Sequence, residues 1–378
     1  MTPHTASTAP TPHTASTAST PRSASVASTP QAVPAARPAS GAAPRAVTVH
    51  QVARPTGLPT PGDFAFAEHP VPVPGPGTAL VENVYLSVDP YMREAMEEGG
   101  WELGTPLEGR SIGRVVRSRT PGLRTGDLVF HRHAWRTHAV VTAEEVRVLP
   151  PLDGVPLRAW LSVLGGTGLT AYVGLTRTAR LAAGETVFVN SAAGGVGTAV
   201  GQFARLLGAG RVLGSTGSAA KAAHLVRDLG FDAAFDYHDG PFAEQLGAIA
   251  PGGIDVGFEN VGGEQLEGLI AHMRPSGRIA WCGSVAQYND LADPPAAPRN
   301  LYDVVGKALR LEGFLVRDHR DAQHELEEFL VPHLRSGRVV PDDTVTVGIG
   351  TVVDAFIGVL RGSNTGKMIV QVGDPEEK

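Results

Sequence analysis

The chain has 378 residues, 42% of them hydrophobic and 19% charged, with a formal net charge of −6. That length suits two domains and that composition a sizeable core, while the acidic balance argues against a nucleic-acid protein, which shows a basic excess. Cys282, the one cysteine, excludes a disulfide framework and a cysteine-based zinc cluster, no apolar run is long enough to span a bilayer, and the N-terminus lacks the apolar stretch of a secretory signal. A reducing, cytoplasmic setting is the expectation.

Residues 1–45 are almost all Thr, Ser, Ala, Pro and His, and TPHTASTAP at 2–10 is followed by TPHTASTAS at 11–19. Such a segment cannot bury enough apolar area to offset its ordering entropy, so a disordered tail is expected. His4 and His13 read as part of that tail rather than as metal ligands. A start codon downstream of it would leave the folded part intact.

From 46 to 164 short β-rich runs appear, among them AVTVHQVA, TALVENVYLSV, SIGRVVRS and DLVFHRHAWRTHAVV. Pro and Gly separate them, which predicts a small barrel-like β domain. From 165 to 318 strand and helix patterns alternate: TVFVN, RVLGST, AAHLVRDLG, AAFDY, IDVGFENV, EQLEGLIAHMR, GRIAWCGS. That alternation predicts an α/β domain built on a doubly wound parallel sheet. Residues 319–378 hold a polar-faced helix, AQHELEEFLVPHLRSG, and then β-rich sequence. This segment is expected to return to the first domain.

The stretch NSAAGGVGTAV at 190–200 joins a strand to a helix. Ala192, Gly194 and Gly197 form A-x-G-x-x-G in the βαβ setting that a dinucleotide site requires. Gly194 lets the backbone approach a pyrophosphate, Gly197 allows close helix–strand packing, and the helix N-terminus offers free N–H groups to phosphate. An NAD site usually carries Asp or Glu about 20 residues past the motif, on the ribose 2′-hydroxyl. Here the second strand ends GSTGS, with no acid between Gly208 and Lys221. Ser218 and Lys221 instead supply a hydroxyl and an ammonium suited to a 2′-phosphate. Only four lysines occur in the chain, so this one is less readily dismissed as surface filler. NADP(H) is favoured over NAD(H).

Seven segments in order, VYLSVDPYMR (84–93), GLTAYVGL (168–175), NSAAGGVG (190–197), GIDVGFENVGG (253–263), GRIAWCGSVAQYN (277–289), LRLEGFLVRD (309–318) and GSNTGKMIVQV (362–372), resemble the medium-chain dehydrogenase/reductase superfamily. Within it they resemble the zinc-free branch of prostaglandin reductases and NADPH-dependent alkenal/one double-bond reductases (leukotriene B4 12-hydroxydehydrogenase-like). The resemblance implies a GroES-like barrel plus a Rossmann domain, NADPH as hydride donor, and reduction of a C=C bond conjugated to a carbonyl. It implies cofactor contacts from Ala193, Gly194, Gly195, Val196 and Gly197, from Lys221, Tyr237 and Asn260, from Cys282, Gly283 and Tyr288, from Phe314, Leu315 and Val316, and from Asn364. It also leaves room for a homodimer through the edge strand RLEGFLVRD. Glu259 stands where the family usually has Asp and Thr167 lies at a variable position; neither departure is expected to matter to the site.

The zinc relatives' Cys and His ligands are missing from the first domain. His131, His133 and His138 cluster in HRHAWRTH, and alternation puts His131 and His133 on one strand face. Without a third ligand they read as surface strand histidines, and no metal is expected. Cys282, in IAWCG, reads as a small buried hydrophobe. The chemistry needs a donor for the developing enolate oxygen. Tyr288 is the first candidate and Tyr91 the second, with Arg93 beside it to orient a polar substrate group. The alternatives are a quinone reductase of the same superfamily and a non-catalytic NADPH-binding redox sensor.

Overall fold

The computed structural model describes residues 45–289 and 293–375. The expected tail lies outside the described residues except for Arg45, which begins the first strand. β1 (Arg45–Gln51) pairs antiparallel with β2 (Phe64–Pro70). Next come β3 (Ala79–Ser87), the short helix α1 (Met92–Ala95), β4 (Ser111–Ser118), β5 (Leu128–His131), β6 (His138–Val141) and β7 (Arg147–Val148). The second domain opens with α2 (Gly166–Val173). It continues with β8 (Thr186–Val189), α3 (Gly195–Leu206), β9 (Arg211–Thr216), α4 (Ala219–Asp228), β10 (Ala233–Asp236), α5 (Phe242–Ile249), β11 (Ile254–Glu259), α6 (Gly263–His272), β12 (Met273–Trp281), α7 (Tyr302–Gly306) and β13 (Arg310–Gly313). Last are α8 (Gln323–Arg335), β14 (Asp343–Val347), α9 (Val352–Leu360) and β15 (Lys367–Gln371).

β8 to β13 form one six-stranded sheet in the order β10-β9-β8-β11-β12-β13, and every neighbouring pair is parallel. This is the Rossmann order, with its switch point between β8 and β11. The apolar run of β8 has a simple cause. Val187 and Val189 face a core shared with Val200 and Phe203 of α3 and Leu326 and Leu330 of α8. Phe188 faces the other side, against Leu213, Phe242, Leu246 and Leu269. Both faces are covered, so the three consecutive positions Val187, Phe188 and Val189 are all apolar, and each fully buried side chain contributes roughly 1.5–3 kcal/mol.

β15 pairs antiparallel with β3 at Ile369–Ser87, Val370–Leu86 and Gln371–Tyr85, and β14 pairs with β15. The end of the chain thus completes the sheet of the first domain, whose order is β14-β15-β3-β4-β5-β7, with β6 on β3. A second core fills that domain around Trp135, which stacks on Phe64 at 5.6 Å. At the junction, Asp89 accepts from Ser87 Oγ at 2.6 Å and lies 3.3 Å from Lys367 Nζ and 3.5 Å from Arg110. Burial alone would raise the Asp89 carboxyl, but the two cations hold it below its ordinary value. The Asp of DPYMR is therefore an anchor between β3, β4 and β15.

The histidine cluster departs from its expectation. His131 is 1% exposed, so it is not a surface histidine. Its Nδ1 accepts from the His133 N–H at 3.1 Å. Burial first, then His133 and Arg136, push its pKa down to about 3. The folded state therefore binds its proton less well than the unfolded chain does. The stabilisation this gives is complete above about pH 6.5 and is lost as pH falls toward 3, with a slope of about 1.4 kcal/mol per pH unit. His131→Asn keeps an acceptor for the His133 N–H but cannot be protonated. It should flatten the fall in Tm between about pH 7 and pH 4.5; a slope equal to that of the wild type would assign the fall to other groups.

Candidate active site

The sequence candidates for the cofactor gather at one end of the parallel sheet. Ala193 to Gly197 follow β8, Ser218 and Lys221 follow β9, Tyr237 follows β10, Asn260 follows β11, Cys282, Gly283 and Tyr288 follow β12, and Phe314 to Val316 follow β13. Asn364 precedes β15, whose segment is laid on the turn: Gly366 N–H donates to Ala193 O at 2.8 Å. The C-terminal strand ends beside a switch point are where open α/β sheets bind ligands.

The turn after β8 is built for close approach. Ser191 takes φ 48°, and Gly194 N–H donates back to Ser191 O at 3.0 Å. A Cβ on Gly197 would lie 2.5 Å from Ala192 Cα and from Ser191 O, so no side chain fits there. The opening N–H groups of α3, at Gly195, Val196 and Gly197, have no acceptor inside the helix. With the partial positive charge of the helix end they fit a pyrophosphate.

A second polar corner forms past β9. Ser218 caps α4, its Oγ accepting from Lys221 N–H at 3.3 Å. Tyr237 brings its hydroxyl to Gly217, 3.3 Å from where a Cβ would stand, with its ring on His238 at 4.1 Å. Lys221 Nζ donates to Gly362 O. Lys307 and Lys367 each have a carboxylate within 4 Å, at 3.8 Å and 3.3 Å, but Lys221 has none among the described residues. Burial lowers its ammonium pKa with nothing to offset it. This corner fits an added anion, as a 2′-phosphate would be. Asn364 turns its amide onto Gly366 O at 2.6 Å.

The third group stands past β11 and β12. Asn260 Nδ2 donates to Asn190 O at 2.9 Å, and its Oδ1 accepts from Cys282 Sγ at 3.0 Å. Burial, then Glu259, push the thiol pKa up, which makes it a donor and not a nucleophile. The Tyr288 hydroxyl lies by Gly283, 3.4 Å from where a Cβ would be. Burial first, then the Glu94 carboxylate, push the phenol up to about 12, while the Ser284 N–H works the other way. Tyr288 is thus neutral, with a proton to donate. Phe314 packs edge-on to Phe258 at 6.4 Å, and Leu315 is exposed beside it.

Two family models match, one described as the N-terminal domain of oxidoreductase over residues 48–149 and one as zinc-binding dehydrogenase over residues 195–334. The NADP(+)-dependent 2-alkenal reductase of Nicotiana tabacum is 37% identical over 79% of this chain and 88% of its own. Prostaglandin reductase 1 of Rattus norvegicus is 38% identical over 83% of this chain and 95% of its own. The chain belongs to the medium-chain dehydrogenase/reductase superfamily. Within it, the chain stands among the prostaglandin and alkenal reductases. CurA of Vibrio vulnificus, solved with NADPH, superposes on this reductase with a TM-score of 0.82 at 31% identity, over 87% of this chain and 100% of the other.

In this reductase some candidates take roles the motifs did not suggest. Arg93 is 2% exposed. Its Nε donates to Gly57 O at 3.0 Å and its Nη1 to Glu97, so its guanidinium is spent within the first domain rather than offered to a substrate. Tyr91 immediately precedes α1 at its N-cap position, with the Arg110 guanidinium over its ring at 5.4 Å. Its hydroxyl is buried beside Arg132, which can only donate to it, so its own proton has no acceptor among the described residues. Glu94, one turn along α1, acts on Tyr288 and is a neighbour that no motif pointed to. Glu259, where the family usually has Asp, is fully buried and accepts three hydrogen bonds. The described residues hold no group of three His, Cys, Asp or Glu that could bind a metal ion, and none of their helices is long and apolar enough to cross a membrane.

Proposed function

We propose that this reductase transfers hydride from NADPH to the β-carbon of α,β-unsaturated aldehydes or ketones and, once the α-carbon of the resulting enolate has taken a proton from water, releases the saturated carbonyl compound. The observation that carries the reading is Tyr288, a phenol kept neutral at the strand ends where Asn260 and Cys282 stand. NADPH, when bound, supplies the hydride that adds to the β-carbon of the substrate. The protein's part is placement and electrostatics. The N–H groups of Gly195, Val196 and Gly197 hold the pyrophosphate. Ser218, Lys221 and Tyr237 hold the 2′-phosphate. Asn260, Cys282, Gly283, Phe314, Leu315, Val316 and Asn364 line the rest of the cofactor's path. Tyr288 donates to the carbonyl oxygen as it gains enolate charge, and a fixed donor at that point lowers the barrier. Tyr91 is the second donor to the substrate.

The reading extends to a homodimer and to the cytoplasm. β13 is the edge strand of the parallel sheet, with Arg310, Glu312 and Gly313 exposed, so its outer backbone groups are open to a second copy. Cys282, half-buried and free, suits a reducing compartment.

The test is loss of NADPH absorbance with a 2-alkenal, a long-chain enone and a quinone as alternative substrates. Turnover of either enone with its carbonyl retained supports the reading. Fast turnover of the quinone alone would make the protein a quinone reductase, and NADPH binding without turnover of any would make it a sensor.

A further inference from the structure

Glu259, at the end of β11, is 0% exposed and lies in no ion pair among the described residues. One of its oxygens, Oε1, accepts three hydrogen bonds: from Asn190 Nδ2 at 2.7 Å, from Val261 N–H at 2.7 Å and from Gly262 N–H at 2.6 Å. The other, Oε2, is buried with no partner at all. Asn190, so oriented, accepts from Asn260 N–H through Oδ1 at 2.7 Å and from Asn260 Nδ2 through its carbonyl at 2.9 Å. Asn260 Oδ1 in turn accepts the Cys282 thiol at 3.0 Å. A single carboxyl group therefore stands at the root of a chain of bonds joining β8, β11 and β12.

We propose that Glu259 is a positioning residue of this reductase, which through Asn190 and the Val261–Gly262 N–H groups fixes the turn carrying Asn260 and, beyond it, Cys282. The proposal rests on the reading of that turn as part of the NADPH site. The lopsided use of the two oxygens gives it a distinguishing signature. Oε2 has nothing to stabilise a charge, so a proton added there relieves the burial, while Oε1 keeps its three donors. Burial accordingly pushes the carboxyl up to about 6, against the pull of Gly262, Asn190 and Val261. Cys282, itself un-ionised, is the titratable group that faces it, from the end of β12, and Tyr288 lies beyond Cys282. Asn190 from β8 and the 261–262 turn bring no charge. Hydrogen bonds to the ionised form are about twice as strong as those to the neutral form. The turn is held tightly above pH 6 and more loosely below it.

The experiment is kcat against pH from about 5 to 8, at saturating NADPH and enone, in the wild type, Glu259→Gln and Glu259→Asp, with NADPH affinity measured separately by fluorescence. In the wild type kcat is expected to fall severalfold as pH drops, with a midpoint near 6. E259Q keeps an acceptor for the three donors but cannot titrate: its profile is expected to be flat and its plateau lower, with NADPH bound about fivefold more weakly as neutral bonds replace charge-assisted ones. E259D keeps a titratable group on a shorter stem and is expected to retain the acid limb with its midpoint moved. A wild-type profile that is flat through pH 6, or the same limb persisting in E259Q, would overturn the proposal. If no enone is reduced, the reading of the reaction fails instead. NADPH affinity then decides for Glu259: equal affinities in wild type and E259Q contradict its positioning role, and the fivefold loss supports it.

Discussion

Replacing Lys221 by alanine should raise the Kd for NADPH about tenfold to a hundredfold and leave that for NADH within about twofold, since a hydrogen bond to a charged group is worth about 1.5–3 kcal/mol and each 1.4 kcal/mol is tenfold in affinity. The structure gives the reason. Lys221 is half-buried, its Nζ rests on a carbonyl, Gly362 O, and no carboxylate among the described residues neutralises it. Ser218 and Tyr237 stand at the same corner. A 2′-phosphate at this corner would supply the counter-charge that the described residues do not. NADH lacks the 2′-phosphate and has little to lose. Equal weakening of both cofactors, read by fluorescence titration, would show that Lys221 serves the helix or the Gly362 loop and not the phosphate.

The second large effect is on the chemical step. Tyr288→Phe should lower kcat about a hundredfold to a thousandfold, the range seen when a proton donor or one oxyanion donor is lost, with the Kd for NADPH unchanged. The ring stays and only the hydroxyl goes, so loss of rate without loss of binding separates a donor from a packing aromatic. Tyr91→Phe provides the comparison. Its hydroxyl is buried with no acceptor among the described residues for its proton, but its ring packs against the first-domain core. A smaller effect there and a larger one at Tyr288 would rank the two donors as proposed. No effect at either would remove both from the mechanism.

Much of the second domain was legible because its signals are local. TVFV–NSAAGGVG–TAV puts an apolar strand, a small-residue turn and a helix within one short stretch, and the absence of an acid before Lys221 can be read by counting. The parallel sheet then carries each candidate to the same end, since every strand runs the same way. What escaped depends on contacts between distant segments. Asp89 meets Lys367 only because β15 returns to β3, so the Asp of DPYMR looked no different from its neighbours. Alternation put His131 and His133 on one face but could not say that this face turns inward. Arg93 sits close to Tyr91 in sequence, yet a helical step turns it toward Gly57 instead. The burial of Glu259 and its bond from Asn190 could not be read from GFENVGG, because Asn190 follows another strand.

The most direct test of double-bond reduction by this protein is the fate of deuterium carried on C4 of labelled NADPH when a simple 2-alkenal is the substrate. The expected product is a saturated aldehyde with the label on the β-carbon and the carbonyl intact. Label on the carbonyl carbon of an allylic alcohol would contradict it, because the hydride would then have gone to the C=O and the glycine turn of NSAAGGVG would serve a different reaction.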